Sequence, residues 1–250
     1  MRKLVMMLVA ASLLLCADPY GSAVSLPDAA KPDQPEGSKM AEELGDLARI
    51  HNDYGAAVSH YQTALRADRR NAVLYVKLGI VELLLGERGA ARKHFAQSLK
   101  CNPHYEAALN NLGVVALLDK KYKFAIGYFK QALALDESNA PVHVNLAEAW
   151  IGLDQTDRAM TEYARALELD ADVLSKSTEG ILAQLSTPEQ RARVSYIIAK
   201  MYAKRGNIDG ALEYLQRAKQ GNYIDLSKVY ADPDFSALWK DPRLAKIVKR

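Results

Sequence analysis

The sequence predicts an all-α fold, an α-solenoid of about five helix-turn-helix repeats closed by C-terminal capping helices, and three observations carry that expectation. Residue types recur at a fixed spacing of 34, apolar side chains within each unit keep a helical period, and helix breakers fall where one helix must hand over to the next. The 250 residues, 49% hydrophobic and 25% charged, have the composition of a globular chain able to bury a core.

In chain order, the first element is a signal peptide over residues 1–23. Arg2 and Lys3 precede an uncharged, mostly apolar run at residues 4–15, which Asp18 and Pro19 end and which is short for a permanent bilayer span. Two processing routes stand open. Cys16 closes a lipobox-like Leu13-Leu14-Leu15-Cys16, with Leu15 where a small residue is expected, and its lipidation would anchor the chain to a membrane. Cleavage after Gly21-Ser22-Ala23 would instead release the chain, with small residues three and one before the cut. Either route leaves Cys101 as a buried thiol without a partner. Residues 24–37 hold three prolines and no apolar period, the mark of a flexible linker.

Four tandem units follow, at residues 38–71, 72–105, 106–139 and 140–173. Gly45, Gly79, Gly113 and Ala147 share one register; Ala57, Ala91, Ala125 and Ala159 share a second. Ala64, Ser98, Ala132 and Ala166 form a third, and Tyr61, Phe95, Phe129 and Tyr163 a fourth. Leu109, Leu112, Val115 and Ala116 mark one amphipathic helix of a unit, and Ala125, Tyr128, Phe129, Ala132 and Leu133 the other. Small residues let the two helices approach while the aromatic fills the wedge between them. Asn52, Gly86 and Gly206 supply residues tolerant of a left-handed turn inside a unit, and Asn102-Pro103 ends a second helix.

These residues resemble the tetratricopeptide repeat family of bacterial exported proteins. The matching positions are Leu109-Asn110-Asn111-Leu112-Gly113, then Tyr122, Ala125, Tyr128, Phe129 and the run from Ala132 to Asp136. A fifth unit at residues 192–225 repeats the pattern with Tyr202, Gly206, Ala211 and Ala218, whereas the usual closing proline survives only as Pro103. The resemblance implies a right-handed superhelix. Residues 174–191 are an insertion, in which residues 177–185 are expected as a short helix and Thr187-Pro188-Glu189-Gln190 as a capping box opening the next one. In the capping segment, residues 226–250, Asp232-Pro233 and Asp241-Pro242 each read as an N-cap with a first-turn proline. Phe235, Leu238, Trp239, Leu244 and Ile247 are expected to cover the apolar end of the stack.

Catalytic chemistry finds no support in the residues. His51, His60, His94, His104 and His143 occupy different registers with no cysteine or carboxylate at metal-ligand spacing, and neither a nucleophile motif nor a phosphate-cradling glycine loop is present. No enzyme activity, metal or cofactor is expected. Charge is uneven: residues 24–190 carry 18 basic and 23 acidic side chains, residues 191–250 carry 13 and 6. For an exported protein this basic end suits an anionic lipid or wall polymer better than nucleic acid, or is simply a solvated helical surface.

The family resemblance further implies that the first helix of each unit lines a concave groove through unit positions 2, 5, 6, 9, 12 and 13. On that basis Lys77, Ile80, Asn110, Asn111, Val114, Asn145, Glu148, Tyr196 and Lys200 are the candidate peptide-binding residues. Members that clamp a peptide's terminal carboxylate need Lys and Asn where this chain has Glu42 and Asp46, which excludes the clamp. Other members hold a peptide backbone with asparagines at position 6, here Asn111 and Asn145 with Lys77 in the preceding rung; an amide both donates and accepts, so it pairs with any peptide bond. The same amides can instead bond a neighbouring helix. The expected function is a non-enzymatic protein-protein interaction scaffold of the bacterial cell envelope, periplasmic or outer-membrane associated, that takes a protein or peptide partner in its groove. The alternative is a lipid-anchored assembly factor for a pilus or secretion machine, acting through its convex face and basic tail.

Overall fold

The computed structural model describes residues 35–174 and 187–249, and among them every regular element is helical. The signal peptide, Cys16, nearly all of the linker and the expected short helix at 177–185 lie outside the described residues. Helices α1 (Pro35–Ile50) and α2 (Tyr54–Ala67) form the first unit, α3 (Ala72–Leu84) and α4 (Arg88–Cys101) the second, α5 (Glu106–Leu118) and α6 (Tyr122–Leu135) the third. The fourth is α7 (Ala140–Gly152) with α8 (Thr156–Leu169), and the fifth α9 (Pro188–Lys204) with α10 (Ile208–Gln220).

The first helix begins at Pro35, inside the stretch expected as linker. A proline costs nothing in a first turn, where no intrahelical N–H bond is lost, and Gly37 and Ala41 already face inward while Ser38 Oγ donates to Ala64 O at 3.2 Å. Caps set the other starts. Asp53, Asn71, Asn139 and Asn207 each accept a backbone N–H of the following turn, and Thr187 with Gln190 forms the expected reciprocal capping box.

Every unit makes the same turn between its two helices. The second residue after the first helix is left-handed, with φ 60° at Asn52, 80° at Gly86, 58° at Lys120, 58° at Asp154 and 74° at Gly206. The next N–H then reaches back five residues, as from Lys121 to Ala116 O at 2.8 Å and from Asn207 to Tyr202 O at 2.9 Å. Within the units, the aromatic lies flat on the small residue. A Cβ at Gly113 would stand 2.4 Å from a ring carbon of Phe129, and one at Gly79 2.5 Å from Phe95. The wedge therefore admits glycine where the ring packs closest, although Ala147 is accommodated opposite Tyr163.

The second helix of each early unit packs along the first helix of the next, α2 on α3, α4 on α5 and α6 on α7. At the fifth unit this step changes. The insertion takes α9 out of the 34-residue stagger, α9 meets α8 over a smaller surface, and a cavity of about 810 Å³ opens at the junction. Beyond α10, two 3₁₀ helices (Leu226–Tyr230 and Pro233–Leu238) and α11 (Pro242–Ile247) close the stack. Asp232 and Asp241 cap as expected, but the first of these proline starts opens a 3₁₀ helix. Phe235, Leu238 and Leu244 are buried with Val248, whereas Trp239 stays 38% exposed at the rim, with Nε1 donating to Val229 O at 2.9 Å.

Candidate functional site

Unit position 6 supplies three of the candidate groove residues, and the structure gives each a partner within the chain. Lys77 Nζ lies 2.6 Å from Glu42 Oε1 and 2.6 Å from Asp46 Oδ2, bridging the first two units. Burial works against the ammonium, yet these bonds outweigh it and raise the Lys77 pKa. Burial works equally against the Asp46 carboxylate, but Lys77 and Tyr61, whose Oη donates to Asp46 Oδ1 at 2.7 Å, hold it below the usual carboxylate range.

The expected amide ladder is partly spent. Asn111 is buried and its Nδ2 donates to Ala107 O of its own helix at 2.7 Å. Asn145 Nδ2 donates to Asn110 Oδ1 at 2.9 Å, joining the third and fourth units. Asn110 is thus a fold contact, and position 6 works chiefly between repeats. Ile80 is half-buried, but Val114 is buried in the core instead of turned to the groove.

At the far end Tyr196 is also buried, because the capping segment folds over it: its ring stacks on Tyr223 at 4.6 Å and tilts against Phe235 at 5.4 Å. Lys200 Nζ reaches Asp232 Oδ2 at 2.8 Å and Asp234 Oδ2 at 3.0 Å, tying α9 to the cap. Several other basic residues of the C-terminal part are also paired, most of them with acids of the same segment. Arg205 pairs with Glu168 at 3.0 Å, Lys228 with Asp225 at 3.0 Å, and Arg243 with both Asp209 and Asp241 at 2.8 Å.

Glu148 differs from all of these. It stands at unit position 9 on α7 and lines the junction cavity together with Leu117, Leu118, Ile151, Val194 and Ile198. The cavity thus joins the concave positions of the third and fourth units to α9. Glu148 is half-buried, no hydrogen bond or ion pair among the described residues holds its carboxyl group, and burial pushes its pKa up to about 7. Beside it the Tyr163 hydroxyl is fully buried, without a hydrogen-bond partner among the described residues. Burial, and next the charge of Glu148, push that phenol well above its ordinary value.

The expected packed histidine is His143, buried between Glu162 Oε2 at 2.7 Å from Nδ1 and Glu137 O at 3.2 Å from Nε2. Cys101 is half-buried at the end of α4, more accessible than the sequence suggested. Sequence reasoning missed Tyr163 as a site residue, having assigned it only to the wedge, and missed the cavity, which depends on how the insertion displaces α9.

Comparison with known proteins agrees with this architecture. Two family models, each described as tetratricopeptide repeat, match residues 76–140 and 116–177. Among solved structures, that of MamA has 19% identity and a TM-score of 0.52, covering 80% of this chain and 97% of its own. TTC0263, a thermophilic TPR protein of Thermus thermophilus, has 22% identity and a TM-score of 0.54 over 80% of this chain and 98% of its own. Pseudomonas aeruginosa pilF has 20% identity and a TM-score of 0.53 over 74% of this chain and 91% of its own. A chloroplast protein of Arabidopsis thaliana is 29% identical over 72 residues, 29% of this chain; the match spans 22% of the length of that relative.

Proposed function

We infer that this stack of tetratricopeptide repeats is a non-enzymatic protein-protein interaction scaffold that holds a segment of a partner protein in its concave groove. The observation that supports the groove is the junction cavity: about 810 Å³, walled by Leu118, Ile151 and Ile198 and holding an unpaired carboxyl group. An apolar hollow with a few convergent polar groups is the usual form of a recognition site. By contrast, the position-6 amides are engaged within the fold, so capture rests on the hollow more than on an asparagine ladder. The signal-like N-terminus supports export to a bacterial envelope, where a chain beginning at Val24 would be free and one beginning at a modified Cys16 anchored.

The test is capture with crosslinking from the native envelope fraction by the full chain and by Leu118→Glu, a half-buried cavity position. Loss of the captured partner at an unchanged melting temperature supports the groove. Capture that survives the substitution moves binding elsewhere on the molecule. Mass measurement of the N-terminus of the chain isolated from its source decides between free and anchored forms.

A further inference from the structure

The repeats provide an internal comparison for the Glu148 site. Unit position 9 holds Asp46, Ile80, Val114, Glu148 and Lys200 in the five units. The aromatic register facing it holds Tyr61, Phe95, Phe129 and Tyr163, then Leu215. Tyrosine therefore occurs in the two units whose position 9 is a carboxylate, and a ring without a hydroxyl where position 9 is apolar. The chemical reason is visible in the first unit, where the buried Tyr61 hydroxyl donates to Asp46 at 2.7 Å and the other Asp46 oxygen takes the Lys77 ammonium at 2.6 Å.

The fourth unit has the first two members of that triad and lacks the third. Lys77 belongs to position 6 of the following unit, and the equivalent residue after Glu148 is Ile197, buried in the core. Among the described residues Glu148 accordingly has no cation, and the Tyr163 hydroxyl no acceptor. A carboxylate drawn partly out of water without a partner is unfavourable in a folded chain, and Glu148, half-buried, faces a cavity with room for a side chain. Cations already at the cavity rim do not fill the place: Arg88 is paired with Asp119, Arg193 with Asp154 and Arg217 with Glu213, while Lys120 and Arg191 are exposed.

We propose that Glu148 is the binding site for the ε-ammonium of a lysine on the captured partner, which completes in the fourth unit the triad that Lys77 completes from within in the first. The lysine stem lies along Leu118, Ile151 and Ile198. Tyr163 is a positioning residue, donating to one carboxylate oxygen as Tyr61 does and leaving the other for the ammonium. This assignment rests on the groove reading and gives it a specificity: a segment is selected for a lysine at the place that meets the junction.

The site is tested on the full chain carrying carboxyl-¹³C glutamate, with the Glu148 resonance identified by its loss in Glu148→Gln. Titration with excess n-butylammonium is expected to lower the apparent pKa of Glu148 by about half a unit or more, as a nearby opposite charge does, while n-butanol leaves it unmoved. Tyr163→Phe should shrink the shift. Identical titrations with and without the amine overturn the site, whatever the capture experiment shows. A second arm measures binding of the captured partner's segment with its lysine intact or replaced by norleucine. About tenfold weaker binding of the norleucine form to the wild type, with no difference in Glu148→Gln, is expected. Equal binding to the wild type overturns the lysine assignment and, if the amine still shifts Glu148, points to a free amine as the ligand.

Discussion

At the scale of single residues, Glu148 and Asp46 occupy one register and have opposite effects on stability. The Glu148 carboxyl has a folded pKa of about 7 against an ordinary 4.5. Below the ordinary value both folded and unfolded chains hold the proton and nothing is lost. As the pH rises from there to about 7 the unfolded chain ionises first, so stability falls, and above that the loss is constant. The other titratable groups lining the cavity are arginine, lysine and tyrosine, which do not change charge in this window. Each pH unit separating the folded and unfolded pKa values corresponds to about 1.4 kcal/mol, so Glu148→Gln should raise stability by roughly 3–3.5 kcal/mol at pH 8 and leave it almost unchanged near pH 4.5. Thermal melts of both chains at the two pH values check this, and an equal gain at both would mean that burial of the charge is not the cause. Asp46 runs the other way: its pKa is lowered, so the stability that the Lys77 bridge contributes is fully present above the ordinary carboxylate value and is lost as the pH falls below that value, through the lowered folded pKa. Glu148 was legible in the sequence as a groove position, but its lack of a partner was not. That depends on which side chain the next unit brings across, and the insertion breaks the spacing that would have named it.

At the scale of elements, the left-handed turn joining the two helices of each unit shows how far the 34-residue step can be read. Asn52, Gly86 and Gly206 announced it by residue type, and Asp154 is of a tolerant type, while Lys120 adopts the same φ without a residue type that favours it. The repeat geometry overrides local preference there, because the helices on either side fix where the chain must turn. That override has a measurable cost. Lys120→Gly should stabilise the chain by about 0.5–1 kcal/mol and Gly86→Ala should destabilise it by about 1 kcal/mol, since a Cβ is disfavoured at positive φ. Chemical denaturation of the two variants checks the opposite signs; a destabilised Lys120→Gly would show that the lysine side chain contributes more than its backbone strain removes. The wedge was more fully legible. Glycine opposite a ring in three units states the packing outright, and Gly113→Val should cost about 1–3 kcal/mol by overpacking Phe129.

At the scale of the whole molecule, a solenoid is a chain of nearest-neighbour contacts, and its stability is divided among the interfaces between units. The first four units share one stagger, with polar bridges from Lys77 to Glu42 and Asp46 and from Asn145 to Asn110. The α8 to α9 step is smaller in surface, although the buried core continues across it, and the ion pairs that cross it, Arg193 with Asp154 and Arg205 with Glu168, are exposed and contribute little in water. The fifth unit is in turn bound firmly to its cap through Lys200, Tyr196 and Phe235. Unfolding should therefore divide the molecule at this junction, with α1 to α8 as one cooperative block and α9 to α11 as another. Amide exchange measured with increasing denaturant is expected to show two protection levels that change between α8 and α9. A single level from α3 to α10 would mean that the junction is as strong as the regular steps. Adding a lysine-bearing partner segment should bring the two levels together, because a ligand gripping Glu148 from α7 and Ile198 from α9 is held only while both blocks are folded and in register. The loosest step of the stack is then the one at which binding has the most to stabilise.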